Sequence, residues 1–192
     1  VTIAQYYTPS GRLIQRPFDN DNDYYKEIYE KDREEKLDSL KKLRPPFLTR
    51  KGRTVYGGGG ITPDIYIPWE NDITKTTRSI MTDPKRLLFN WSNTYINSNN
   101  VLGKYKQFQT TWELSDDDYN NFLDYLSSEL KDIDLDEIKK DEEYLKIMIK
   151  SEIAGNKWGR DELWGVRIST DSQIMGALNH FNEADAFLVQ SN

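Results

Sequence analysis

The stretch YGGGGITPDIYIP, residues 56–68, sets four consecutive glycines directly before a short apolar segment closed by proline. Such a run leaves two structural options. Glycine-rich loops cradle phosphates when a helix follows, because the free N–H groups at its start point at the anion, and a Lys-Ser or Lys-Thr pair usually closes the loop. Here Gly60 is followed by Ile61, Thr62, Pro63 and Asp64 and then by a β-like run, with neither the helix nor the lysine. A dinucleotide fingerprint fails on the same ground, since it too must open a helix. Consecutive glycines ahead of a strand fit a bulge, or a crossing where two backbones approach closely, and glycine is the default wherever φ must be positive. The run therefore predicts a backbone device and no ligand loop.

A chain of 192 residues has room for one large domain or two modest units, and two units are the expectation. Charged residues reach 30%, yet aromatics reach 12%, too many for a disordered chain, so a folded protein is expected. The formal net charge of -6 repels phosphate backbones, so no nucleic-acid partner is expected. Cysteine is absent, which removes disulfides, thiolate metal sites and thiol nucleophiles together. No apolar run approaches the ~20 residues that span a bilayer, and nothing near Val1 resembles a signal peptide. The chain begins at Val1 inside a strand-like stretch, which reads as a segment of a longer protein.

VTIAQYY, residues 1–7, alternates like a strand; Pro9 and Gly11 then turn the chain, and Leu13 and Ile14 restart a strand. From Asp19 to Arg44 the sequence is densely charged, with Tyr25, Ile28, Tyr29, Leu37, Leu40 and Leu43 as a thin stripe at helical spacing. Pro45 and Pro46 end that pattern. FLTRKGRTVYG predicts a hairpin bent at Gly52, and DIYIP predicts a short strand stopped by Pro68. The composition breaks near residues 70–76, and helical periodicity follows. Asp83 with Pro84 predicts one helix start, with Leu87, Leu88, Trp91 and Tyr95 inward. Ser115 predicts another, with Asp116, Asp117 and Asp118 in its positive first turn and Tyr119, Phe122, Leu123, Leu126 and Leu130 buried. Leu145, Met148, Ile149 and Ile153 mark a third, ending at Gly155. A last helix, opened by Ser169 or Asp171, carries Ile174, Leu178, Phe181 and Leu188.

TIAQYYTPSGRLIQ (residues 2–15) and GGGGITPDIYIP (57–68) together resemble the end of the catalytic core of the carboxyl-terminal processing, or tail-specific, serine peptidases. In that family a strand of the form T-x-A-x-Y-Y-T-P-S-G-R-x-I-Q leads to G-I-x-P-D and a further strand. The short form of the family joins the two closely, whereas here Arg16 to Tyr56 intervenes. The resemblance implies an α+β fold: residues 1–75 as short strands and turns from the end of a peptidase core, with a charged helical insertion at about 17–55, followed by an all-helical C-terminal domain at 76–192. Such insertions and helical extensions are similar to long versions in Bacteroidetes-type envelope bacteria, which implies a periplasmic or cell-envelope parent. The implied reaction is peptide-bond hydrolysis near protein C-termini by a serine that a lysine activates. The family's serine turn and its F-G-K-G lysine segment both lie upstream of the Tyr-Tyr strand, and neither occurs in this chain. Lys51-Gly52 lies downstream and lacks the preceding Phe-Gly, and Ser10 sits in a turn without a catalytic role in the family. No catalytic, cofactor or metal residue is therefore assigned, and the isolated chain is expected to be inert. The implied partners are the rest of the peptidase core, its PDZ domain, and protein or peptide substrates. Strands parted from their sheet leave edges that seek partners, so dimerisation or strand exchange is also expected.

Other residues carry weaker signals. His180 is the only histidine, and without cysteine neighbours it reads as a packing or surface residue. Asp116–Asp118 read as helix capping; Asp132, Asp134 and Asp136 lack the glycine and terminal glutamate of a calcium loop. The insertion reads either as a solvated helix with pairs such as Glu27 and Lys31, or as a lid over a peptide groove. Trp91 and Trp112 read as core, whereas Trp158 and Trp164 in NKWGRDELWG sit among loop-forming residues. The competing function is a stand-alone module that binds a protein or glycan through its helical half.

Overall fold

The computed structural model describes residues 4–15, 39, 42–68, 73–99 and 103–189. The chain divides into two compact units, Val1–Pro68 with Asn179–Asn192, and Trp69–Leu178. The first holds β1 (Pro46–Leu48) and β2 (Thr54–Tyr56), paired antiparallel with Phe47 opposite Val55. The second holds α1 (Lys75–Thr82), α2 (Leu87–Ser98), α3 (Tyr105–Thr111), α4 (Asp116–Glu129), α5 (Leu135–Lys140), α6 (Glu142–Lys157), α7 (Arg160–Arg167) and, after a 3-10 turn at Ile168–Thr170, α8 (Ser172–Leu178). The last helix, α9 (Phe181–Val189), belongs to the first unit. The protein is thus mostly helical, with one small antiparallel sheet among its described residues.

In the first unit the hairpin forms as its sequence requires: Thr49 N–H donates to Arg53 O at 2.8 Å, and Gly52 takes the bend with φ +79°. Upstream, Tyr7 and Leu13 form an antiparallel bridge across the Pro9–Gly11 turn. The strand expected of DIYIP does not form: residues 65–68 join no ladder, which corrects that expectation. A period-2 pattern creates a ladder only where a neighbouring strand lies in register beside it. The helical reading of Asp19–Arg44 falls outside the described residues at 19–38, 40 and 41; Ser39, Lys42 and Leu43 have helical backbone.

The second unit is built around α6, whose Leu145, Met148, Ile149, Ile153 and Ala154 are buried and which packs on α2 and α7. From α4, Phe122 and Leu126 are fully buried, and Ile138 of α5 joins them. The Ser115 start is as expected: its hydroxyl accepts from Asp118 N–H at 3.1 Å. Lys85 closes the other end of α4 by donating to Glu129 O at 2.7 Å, which answers the partial negative charge there. A run of aromatic contacts crosses this core. Phe122 meets Trp91 edge-on at 5.5 Å, Trp91 stacks on Tyr95 at 5.0 Å, Tyr95 meets Trp112 at 6.3 Å, and Trp112 stacks on Phe108 at 4.7 Å. Phe108 then meets Trp158 at 4.9 Å.

Four boundaries differ from the sequence expectations. Asp83 ends α1 instead of opening α2; its carboxylate accepts from Lys85 N–H at 2.8 Å in a tight turn, and the next helix starts at Leu87 after Arg86 takes φ +53°. Gly155 does not end α6. A Cβ there would lie 2.8 Å from Leu163 Cδ1, so the glycine admits α7 against the helix face. Trp158 lies, as expected, in the turn after α6, where it packs in the aromatic run, whereas Trp164 lies on α7 and is exposed. The final helix breaks in two between Leu178 and Phe181, and Ile174, Leu178 and Phe181 are exposed.

Because Phe122 has no solvent exposure and anchors the aromatic run, Phe122→Ala is expected to destabilise the helical unit by about 3–5 kcal/mol. Urea unfolding followed by tryptophan fluorescence measures it; a loss below ~1 kcal/mol would mean that the core is not organised around this ring.

Candidate functional site

Two places gather polar and charged groups, one in each unit. In the first unit the glycine run is a close-approach device. Gly58 and Gly60 hold φ of +77° and +76°, which L side chains rarely adopt. Gly57 faces the Phe47 ring, whose Cε2 would lie 2.6 Å from an added Cβ, and a Cβ on Gly59 would fall on the Arg44 guanidinium. Arg44 Nη1 donates to Thr62 Oγ1 at 3.0 Å, and Gly57 N–H donates to Pro45 O at 3.0 Å. The glycines thus lie against protein side chains, Gly57 against Phe47 and Gly59 against Arg44. The same Phe47 ring lies against Gly11, with 3.8 Å to a Cβ built there, and Gly57 also faces Arg12 Cγ at 3.6 Å. Phe47 therefore brings the YYTPSGR turn and the glycine run together.

That turn is self-contained. Thr8 N–H donates to Arg12 O and Gly11 N–H to Thr8 O, both at 2.8 Å. The Ser10 hydroxyl shares a 2.8 Å hydrogen bond with Thr8 Oγ1. Lys51 is exposed in the hairpin turn between Thr49 and Gly52. Val55 is the one buried apolar side chain of this unit among the described residues, whereas Tyr6 (66%), Tyr7 (60%), Leu48 (65%) and Ile61 (67%) are largely exposed.

In the second unit a cleft of about 410 Å³ opens between α3, the start of α4, α6 and α7. Leu114, Ile147 and Val166 supply its apolar wall, and Glu113, Glu143, Lys146 and Lys150 its charge. Lys146 is doubly paired: its ammonium lies 2.7 Å from Asp116 and 2.6 Å from Glu142, and these hydrogen bonds raise its pKa while lowering that of Asp116. Lys150 donates to Gln109 O at 2.9 Å, in the last turn of α3, and burial lowers its pKa against the opposing pull of Glu113. Gln109 in turn donates to Gly165 O at 2.9 Å, tying α3 to α7. The Tyr119 hydroxyl is buried without a hydrogen-bond partner, and its pKa is pushed up to about 12, first by burial and then by Glu142. These are the means by which helices are held in register; the cleft adds an amphipathic surface of mixed charge.

Several of the described acidic groups serve as helix caps or in pairs. Asp134 caps α5, accepting from Asp136 and Glu137 N–H at 3.0 Å each. Asp118 accepts from Tyr95 OH at 3.1 Å. Asp132 has φ +62° in the turn before α5, and His180 Nδ1 lies 3.0 Å from Glu183. Among the described residues no three His, Cys, Asp or Glu side chains converge to hold a metal ion. Asp141, which no local pattern signalled, ties α1 to the α5–α6 junction: its Oδ2 accepts from Thr74 Oγ1 at 2.7 Å and from Thr74 N–H at 2.8 Å. Burial alone would raise its pKa, but the Thr74 and Thr77 hydrogen bonds hold it below 3.8.

Comparison with known proteins adds one match. Residues 85–159, which run from just before α2 to the end of α6, are similar to a family of unknown function, DUF8443. Its description attaches no activity to that stretch. A search of the curated proteins and one of the solved structures each find no match.

Two outcomes follow from this geometry. Gly59→Ala must displace the Arg44 guanidinium, the mobile end of a long side chain, and is expected to cost about 1 kcal/mol through loss of the Arg44–Thr62 hydrogen bond, while adding little in an Arg44→Ala background; a double-mutant cycle by denaturant unfolding tests this, and full additivity would show that the two groups do not touch. For Asp141 the folded pKa lies below the unfolded value, so its contribution is present above pH 3.8 and is lost as the pH falls through the folded pKa. Asp141→Asn is expected to cost about 1 kcal/mol near neutral pH and to flatten the acid limb of the stability curve. An unchanged acid limb in urea titrations would reject the assignment.

Proposed function

We propose that the chain supplies closing strands of a serine peptidase of the carboxyl-terminal processing type, with an appended helical unit. The observation that carries this reading is the meeting of the two resembling stretches at one ring: a Cβ built on Gly11 or on Gly57 would meet Phe47, so segments far apart in sequence face a single side chain. The exposed Tyr6, Tyr7, Leu48 and Ile61 add to it, because a unit with one buried apolar side chain among its described residues has apolar surface left to cover. The parent, on this reading, is an envelope or periplasmic enzyme that cleaves peptide bonds near protein C-termini, and the serine and lysine reside in the preceding part of its core.

A second reading, in which the helical unit is a protein- or glycan-binding module on its own, draws on the 410 Å³ cleft and its amphipathic lining. The two separate readily. Reading the coding sequence upstream of Val1 is expected to reveal a serine in a small-residue turn and an F-G-K-G segment. The purified chain is expected to leave casein intact. An upstream frame without both segments, or cleavage of casein abolished by Ser10→Ala or Lys51→Ala, would overturn the peptidase reading as stated.

A further inference from the structure

We propose that the cleft of the helical unit binds a short peptide by its free C-terminal carboxylate, with Lys150 as the anchor. Glu143, Lys146, Ile147 and Lys150 recur at three and four residues along α6 and all line the cleft, so one face of this helix forms a side of it. The two ends of that face differ in charge. At one end Lys150 is half-buried, its ammonium 5.7 Å from the centroid of the Phe108 ring. Its hydrogen bond among the described residues runs to Gln109 O, and Glu113 acts on it through charge alone. An ammonium carries three donors, so this one still has room for an acceptor. Burial lowers its pKa, the mark of a charge short of solvation, and an incoming carboxylate would restore what burial removed.

At the other end Glu143 is exposed next to the Lys146 ammonium, which Asp116 and Glu142 already share. That end carries surplus negative charge and favours a cation. Ile147 lies between the two ends on α6, and Leu114 and Val166 extend its apolar surface. Size narrows the choice further. Glu143 and Lys150 stand seven residues apart on α6, about 10 Å along the axis, and an extended tripeptide at ~3.3 Å per residue covers the same span. A cleft of about 410 Å³ sits at the small end of ligand sites. A tripeptide with free termini meets all three demands: carboxylate on Lys150, apolar last side chain on Ile147, and α-ammonium toward Glu143. A neutral glycan offers neither charge. The inference rests on the second reading, that the helical unit is a binding module, and names its ligand.

The test titrates the isotopically labelled full chain with the tripeptide Ala-Ala-Leu. The amide signals of Gln109, Ile147, Gly165 and Val166 are expected to shift. Amidating the C-terminus of the peptide is expected to weaken binding about tenfold, since a charge-assisted hydrogen bond is lost; acetylating its N-terminus is expected to weaken it about threefold, the loss of an exposed pair. Lys150→Met is expected to abolish the shifts. Because Lys150 also ties α3 to α6, the amidated peptide tests the same contact on the unaltered protein. Equal binding of the amidated and free peptides would overturn the proposal. So would absence of shifts, shifts confined to amides outside the cleft, or tighter binding of cellobiose at the same amides. Binding of cellobiose without the tripeptide would remove this inference and keep the module reading; the peptidase reading is decided upstream of Val1 and is untouched by either result.

Discussion

Burial of α6 is the constraint from which the helical unit follows. A helix with Leu145, Met148, Ile149, Ile153 and Ala154 withdrawn from water must be covered on several sides at once, and each neighbour is then restricted to a face that can meet it. Gly155 is the clearest consequence. It costs helix propensity in the interior of α6, and in return Leu163 lies against the helix backbone where any side chain would intrude. The polar ties respect the same geometry: Lys146 holds the first turn of α4, Lys150 the last turn of α3, and Asp141 the start of α1. Lys150 and Asp141 pair backbone groups at helix ends, whereas Lys146 pairs the Asp116 carboxylate.

The first unit solves a different problem. Val55 is its one buried apolar side chain among the described residues, and the described segments are held by close contact between backbone and two large side chains. Phe47 lies between Gly11 and Gly57, and Arg44 lies on Gly59. Glycine is required at Gly57 because the approach of the Phe47 ring is shorter than a Cβ allows, and at Gly11 because its φ is +83°. The ring and the guanidinium both come from the stretch that separates the two resembling segments, so the end of this stretch is part of how they are held together.

Much of the helical unit was legible from local pattern. Ser115 with three following aspartates is a start signal that works within one turn, and the Tyr119–Leu126 stripe repeats with the helix period, so both could be read without knowing the neighbours. The hairpin at Gly52 was legible for the same reason. What escaped was decided at a distance. Asp83 before Pro84 has the form of a helix start, yet it closes a turn between two helices because α1, which is short and polar, precedes it. NKWGRDELWG looks like a loop by composition, yet burial of Trp158 against Phe108 pulls it into the helical body. DIYIP alternates like a strand but joins no ladder. The cleft lining, drawn from Gln109, Glu113, Lys146, Lys150 and Gly165, has no sequence signature, since its members come from separate segments.

By itself the sequence determined the periodicities, the caps, the absence of thiol chemistry and the character of the glycine run as a backbone device, because each depends on bonds and sterics within a few residues. Tertiary structure alone decided which side chain the glycines admit, where helices stop, and which charges meet across the helical unit. Those outcomes depend on approach distances between segments remote in the chain, and a one-dimensional pattern carries spacing along the backbone but no distance across it.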